Sequence, residues 1–349
     1  MIPRALVPWG SLRPRPRPVP NDGPLVDGWG RRVDALRLSL TDRCNLRCVY
    51  CLPVEGVRWL PKADLLTDEE IVAVVRQLAA LGLRRLRLTG GEPLLRPNLL
   101  RLVERLRAIP GVEELALSTN GTRLAPLAPA LRNAGVDRVN LSLDSLRPER
   151  LDAMARRPGV GRAILAGLEA AAAAGFDPLK INCVVLRGLN DEELEDFAAL
   201  SAQHPWHVRF LELMPVGGNL ALSDRFVSAD EVLARLRRLG PLAPVPGPPG
   251  WGPARCFAFP GAPGTVGVIS PLSHSFCTDC RRLRLTADGR LRPCLFGTVE
   301  VDLRTPLRRG EPLEPYVRRA LALKPEGHRL VLGRADGSGG WTALSQIGG

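Results

Sequence analysis

Cys44, Cys48 and Cys51 stand in a CxxxCxxC pattern directly after a short strand-like run, Leu36–Leu40. Three thiolates so close together can serve one metal centre, yet three is an incomplete set. Structural zinc takes four protein ligands, and an iron–sulfur cube has four irons to ligate. The spacing therefore predicts either a cluster with one iron open to another ligand or a zinc knuckle whose fourth ligand lies elsewhere. A second trio occurs downstream, where Cys277 and Cys280 form a CxxC and Cys294 follows across a hairpin signal at Asp288-Gly289. By itself this is half of a zinc ribbon or a second open cluster. Arg282 and Arg284 alternate on the strand leaving Cys280, so both point the same way, towards an anion. Cys183 and Cys256 read as buried filler, and His204, His207, His274 and His328 have no metal-ligand spacing.

A strand-then-helix repeat must position these loops. Strands are expected at Leu36–Leu40, Arg85–Thr89, Glu114–Ser118, Arg138–Leu143, Leu179–Leu186 and His207–Leu213, with amphipathic helices between them. Thr67-Asp68-Glu69-Glu70 reads as a capping box opening the first helix, and Gly82, Gly135 and Gly175 suit helix stops. Short βα connections imply a parallel sheet, doubly wound or curled. Leucines alternate with Arg37 and Ser39, with Arg87 and Thr89, and with Asn140, Ser142 and Asp144. Strands covered by helices on both faces would be nearly all apolar, so these polar faces are expected to line a shared cavity inside a curled sheet. In such barrels functional residues gather at the C-terminal ends of the strands. Thr89-Gly90-Gly91-Glu92-Pro93 follows the second strand, where a Gly pair allows close backbone approach to a ligand and the acid can hold an ammonium group.

The chain has 349 residues, mean hydropathy near zero and a formal net charge of +12. No apolar run is long enough to span a bilayer. Arginine supplies almost all the positive charge, the only lysines being Lys62, Lys180 and Lys324, and aromatic residues make up 5%. That composition argues against a nucleic-acid surface, which interleaves basic and aromatic side chains, and fits a small polyanionic substrate better. The expected organisation is a disordered, basic, Pro-rich tail over 1–30, a barrel over 31–240, and a C-terminal region over 241–349 with a flexible Gly-Gly end. The Pro/Gly stretch 241–254 reads as a linker or loop. Clustered cysteines and the lack of an apolar leader point to the reducing cytoplasm.

The pairing of CxxxCxxC, with Tyr50 before its last cysteine, and GGEP one βα unit later resembles the radical S-adenosylmethionine (SAM) superfamily. LRLSLTDRCNLRCVYC, LRLTGGEPLLR, LSTNG, VNLSLDSL, VRFLELMPVG and SFCTDCRRLRLTADG together resemble the GTP 3′,8-cyclase (molybdenum cofactor biosynthesis protein A) family, from about Gly30 to Gly349. The resemblance implies an α/β fold, an incomplete (β/α)6 TIM-like barrel with a C-terminal region carrying a second iron–sulfur cluster. It implies two [4Fe–4S] clusters, one on Cys44, Cys48 and Cys51 that chelates SAM, and one on Cys277, Cys280 and Cys294 that meets the substrate. It places Tyr50, Gly91, Ser142 and Met214 against SAM, and Arg37, Arg87, Ser118, Lys180, Arg282, Leu283 and Arg284 against GTP. The implied reaction is radical cyclisation of GTP to 3′,8-cyclo-7,8-dihydro-GTP, the first step of molybdenum cofactor biosynthesis. An external electron donor, delivery of the product to cyclic pyranopterin monophosphate synthase, and a homodimer are implied by resemblance alone. The alternatives are another radical SAM enzyme with an auxiliary cluster and a zinc-dependent nucleic-acid-binding protein.

Overall fold

A computed structural model of the chain describes residues 16–53, 55–216, 219–248, 252–328 and 344–347. The six expected strands form as β1 (Ala35–Ser39), β2 (Arg85–Thr89), β3 (Glu114–Thr119), β4 (Arg138–Ser142), β5 (Lys180–Val184) and β6 (His207–Leu211). Between them lie α1 (Asp68–Ala80), α2 (Leu99–Arg107), α3 (Ala128–Asn133), α4 (Pro148–Ala155), α5 (Gly161–Ala173) and α6 (Leu194–Gln203). Thr67 caps α1 as anticipated: its hydroxyl accepts from the Glu70 amide, and the Glu70 carboxylate accepts from the Thr67 amide. The helix then buries Ile71, Val74, Val75 and Leu78 on one side, against the leucine face of the sheet. Leu36, Leu38, Leu86 and Leu88 are at most 1% exposed there, each contributing roughly 1.5–3 kcal/mol of burial. The opposite, polar face of the same strands turns inward.

After β6 come α7 (Ala229–Leu236), β7 (Ala243–Val245), β8 (Arg255–Ala258), β9 (Thr265–Ile269), β10 (Arg282–Leu285), β11 (Arg290–Arg292), β12 (Val301–Asp302), α8 (Arg304–Arg308) and α9 (Glu314–Ala322). All twelve strands among the described residues belong to one sheet, ordered β12-β11-β10-β1-β2-β3-β4-β5-β6-β9-β8-β7. β10 lies parallel to β1, and β9 lies parallel to β6. The C-terminal part of the chain therefore extends the partial barrel at both edges. No break in the sheet coincides with residue 240.

One expectation about the chain ends needs correction. Residues 16–30 are not a loose tail: Leu25 is 1% exposed, Val26 bridges to Arg32, and Trp29 Nε1 donates to the Lys324 carbonyl at 2.9 Å. The apolar and aromatic residues of LVDGWG give this segment something to bury, which the arginine-proline run before it lacks; residues 1–15 lie outside the described residues. At the other end, Leu344–Ile347 is a helical turn, and Ile347 packs with Val216 beside Cys51, Met214, Leu295 and Phe296. The terminal Gly348-Gly349 lies outside the described residues. Among the described residues no helix is long and apolar enough to cross a membrane.

Candidate active site

One cavity, about 1780 Å³ of empty space including its open mouth, occupies the polar interior of the curled sheet. All six clustered cysteines line it. The loop carrying Cys44, Cys48 and Cys51 follows β1, at the C-terminal end of the barrel strands. The second trio departs from the expectation that site residues share that end. Ala35, the first residue of β1, pairs with Arg282, the first residue of the parallel β10. Cys277 and Cys280 precede β10, and Cys294 follows the antiparallel β11, so this trio sits at the N-terminal end. The cavity runs through the barrel from one trio to the other.

The Gly-Gly turn lines the cavity and also packs tightly against the cysteine loop. A Cβ at Gly91 would lie 2.2 Å from the Arg43 carbonyl oxygen, and one at Gly90, where φ is +132°, would lie 2.3 Å from that of Thr41. The close approach is to the backbone of the cysteine loop. Gly91 N donates to Thr41 O and Glu92 N to Arg43 O, both at 2.8 Å. Glu92 is tied to the loop after β3, accepting from Leu94 N (3.0 Å), Thr119 Oγ1 (2.7 Å) and Asn120 N (2.8 Å). Burial raises its pKa to about 7 despite those donors.

Tyr50, Gly91, Ser142 and Met214 all line the cavity near the first trio. The Tyr50 hydroxyl donates to Asp144 Oδ2 at 2.7 Å, and Asp144 Oδ1 accepts from Val184 N at 2.9 Å. Burial lifts the Asp144 pKa to about 6, against the opposing pull of these two donors. Burial pushes the Cys44 thiol up to about 11 and raises Cys48 well above its usual value, with Asp144, Cys51 and Cys44 adding repulsion there. Cys280 behaves oppositely. Burial alone would raise it, but Lys324 and Arg282 outweigh burial and bring it to about 6. Among the described residues no three His, Cys, Asp or Glu side chains converge tightly enough to hold a single metal ion.

Between the trios the wall is basic. Arg37, Arg87, Arg282 and Arg284 line it, with Ser118 beside them, and register sets Arg37 between Arg87 and Arg284 on adjacent strands. Burial, then repulsion from Arg284 and Arg87, holds the Arg37 pKa well below its usual value. Burial first, then neighbouring arginines, lowers Arg87 to about 10 and Arg284 to about 9. Among the described residues no acidic side chain forms an ion pair with Arg37, Arg87 or Arg209.

Two expected GTP contacts are not brought to this wall. Leu283 is fully buried in the apolar core, because strand alternation turns it away from Arg282 and Arg284. Lys180 begins β5, opposite His207 on β6, and is 2% exposed outside the cavity lining. Burial and then Arg138, Arg209 and Arg87 lower its pKa to about 6. Sequence reasoning missed Arg209, which alternates with Val208 and Phe210 as Arg37 does with its leucines, so the signal was present. Its guanidinium donates to Asn140 Oδ1 at 2.7 Å, while its Nε has no partner. Gly267 on β9 stands beside it and leaves it room.

The donor sets fit the groups that the two trios imply. Sulfur-only ligation is the habit of iron–sulfur centres. Buried polar atoms ordinarily have partners, yet Arg209 Nε, Asn182 Oδ1 and Asn219 Oδ1 in the cavity have none; the first suits an anionic ligand, and the two amide oxygens can accept from a ligand's N–H or O–H groups.

Known proteins agree. Residues 38–201 match the radical SAM superfamily, and residues 206–330 match the family described as Molybdenum Cofactor Synthesis C. The chain is 46% identical over 331 residues to GTP 3′,8-cyclase of Moorella thermoacetica, covering 93% of this chain and 100% of the relative. The chain belongs to the GTP 3′,8-cyclase family. It is also 45% identical over 311 residues to molybdenum cofactor biosynthesis protein 1 of Bos taurus, covering 87% of this chain and 49% of that longer protein. Streptococcus suis SuiB bound to S-adenosylmethionine shares the fold, with a TM-score of 0.55 at 14% identity over 82% of this chain and 68% of that one. As a GTP 3′,8-cyclase the protein is a radical SAM lyase of molybdenum cofactor synthesis that acts on GTP and works with SAM and two [4Fe–4S] clusters. That chemistry replaces the alternative of a zinc-dependent nucleic-acid-binding protein.

Proposed function

We propose that the cavity divides its labour by position along the barrel. Cys44, Cys48 and Cys51 hold the cluster that binds SAM, and Cys277, Cys280 and Cys294 hold the cluster that meets the substrate. When bound, the first cluster and SAM supply the 5′-deoxyadenosyl radical that starts the cyclisation. The protein's own residues place the reactants and keep water out. Tyr50, fixed by Asp144, and Gly91, Ser142 and Met214 form the SAM end. Arg37, Arg87, Arg209, Arg282 and Arg284 clamp the triphosphate, with Ser118 a neighbouring hydroxyl, so that the ribose C3′ stays within reach of the radical. Lys180 acts on the phosphates through the field it shares with Arg87 and Arg209. Leu283 contributes its backbone at most.

The observation that carries this reading is one cavity with a cysteine trio at each end and a basic wall of arginines between. It is tested by reconstituting the full chain anaerobically and supplying SAM, GTP and dithionite. 5′-Deoxyadenosine should form in step with consumption of GTP. Equal release without GTP would refute the coupling of the two ends. A cytoplasmic location, an external reductant, a homodimer and hand-over of the product to cyclic pyranopterin monophosphate synthase complete the proposal, supported by family resemblance.

A further inference from the structure

Behind the second trio, outside the cavity, segments remote in sequence meet on two buried cations. Lys324, just past α9, is 3% exposed. Its ammonium donates to Cys280 Sγ (3.4 Å), to the Arg282 carbonyl (2.8 Å) and to the Pro293 carbonyl (2.8 Å). An ammonium has three donors, and all three are spent here. Pro293 precedes Cys294, so this one group ties both ends of the β10–β11 hairpin at the level of their cysteines. Arg31 does the same for the third cysteine. It donates to the Cys277 carbonyl (2.7 Å), and also to the Glu326 (2.7 Å) and Pro325 (2.6 Å) carbonyls. Asp27 fixes Arg31 through Nε at 2.6 Å, and Trp29 Nε1 ties the same segment to Lys324 O.

A buried cation is costly unless compensated. Arg31 has Asp27, but Lys324 forms no ion pair with a carboxylate among the described residues. Its surroundings are carbonyls and one cysteine sulfur, so a ligating thiolate is the counter-charge that completes its site. A compact, three-donor head fits this tripod, whereas a planar guanidinium does not. That is a physical reason for a lysine at this point of an arginine-dominated chain.

We propose that Lys324 and Arg31 are positioning residues for the second cluster, holding its three cysteine loops in register, and that Lys324 tunes the cluster's reduction potential through Cys280. The proposal rests on the assignment of Cys277, Cys280 and Cys294 as ligands. A positive charge and a hydrogen bond on a ligating sulfur favour the reduced, more negative cluster and so raise its potential.

The test uses the reconstituted full chain carrying Lys324→Gln, Arg31→Gln or Cys294→Ser. Iron and sulfide are counted, and each cluster's midpoint potential is read by EPR-monitored titration. Lys324→Gln should shift the second cluster's potential to a more negative value and leave the first unmoved; selective loss of the second cluster supports the proposal equally. Arg31→Gln should lower second-cluster occupancy alone. Unchanged potential and occupancy in Lys324→Gln overturn the proposal. So does equal loss of both clusters in Lys324→Gln and Arg31→Gln, which would make the two residues general supports of the fold. Cys294→Ser separates the two levels of the argument. If it keeps full iron, the ligand assignment fails and the proposal falls with it; if it loses one cluster while Lys324→Gln matches wild type, only the positioning role fails.

Discussion

Arg209→Met is the most discriminating substitution in the cavity, because it sets binding and stability against each other. Methionine keeps the apolar length of the side chain and removes the charge. Arg209 is 4% exposed, has an unpartnered Nε, and sits where its charge adds to the depression of Arg37, Lys180 and His207. Removing it relieves that repulsion and leaves Asn140 Oδ1 short of one donor, so the ligand-free protein should melt within a few degrees of wild type or slightly higher. Binding moves the other way. A hydrogen bond to a charged group contributes about 1.5–3 kcal/mol, so GTP affinity should fall roughly 10- to 150-fold. GTP at about 100 times its dissociation constant stabilises the wild type by about 2.7 kcal/mol, and a 100-fold weaker site at the same concentration gains about 0.4 kcal/mol. The difference is about 3 °C of lost thermal shift for a chain of this size. Calorimetry and thermal melts with GTP or with SAM alone measure both effects. GTP affinity within a factor of two of wild type, or an equal loss for SAM, would refute the placement of the triphosphate on this wall.

Arg37→Met and Arg87→Met should each weaken GTP more than SAM by a similar order, and parallel losses in calorimetry would count against the basic wall. Gly91→Ala should cost the first cluster its assembly, because the added Cβ meets backbone at Arg43 and the cysteine loop must shift; iron analysis should show one cluster missing, and a full complement would contradict the close packing. Lys180 gives a pH test. Its folded pKa of about 6 lies below its unfolded value near 10.5, so the unfolded chain binds the extra proton between those limits, and stability should rise with pH across that window. Lys180→Met should flatten that part of the slope in urea titrations, and an unchanged slope would refute the burial argument. Bound triphosphate should reverse the depression, so GTP binding near pH 8 should take up protons, measured as a buffer-dependent binding enthalpy.

Much of this protein is written locally in its sequence. Cysteine spacing, the leucine–arginine alternation of Arg37 and Arg87, and the Thr67 capping box depend on neighbours a few residues away, where sequence is a direct guide to geometry. Those signals sufficed for the partial barrel, its polar interior and both trios. What they left open depends on pairing between distant segments. Only the docking of β10 beside β1 and β9 beside β6 puts the second trio at the opposite end of the barrel from the first. Only packing shows that Gly90 and Gly91 are small for the sake of the cysteine loop, that Leu283 faces the core, and that Lys180 lies outside the cavity wall. The tripod of Lys324 joins Cys280, Arg282 and Pro293 across more than thirty residues of chain. No periodicity encodes such a contact, because it exists only once the sheet edges are filled and the hairpin is seated against them.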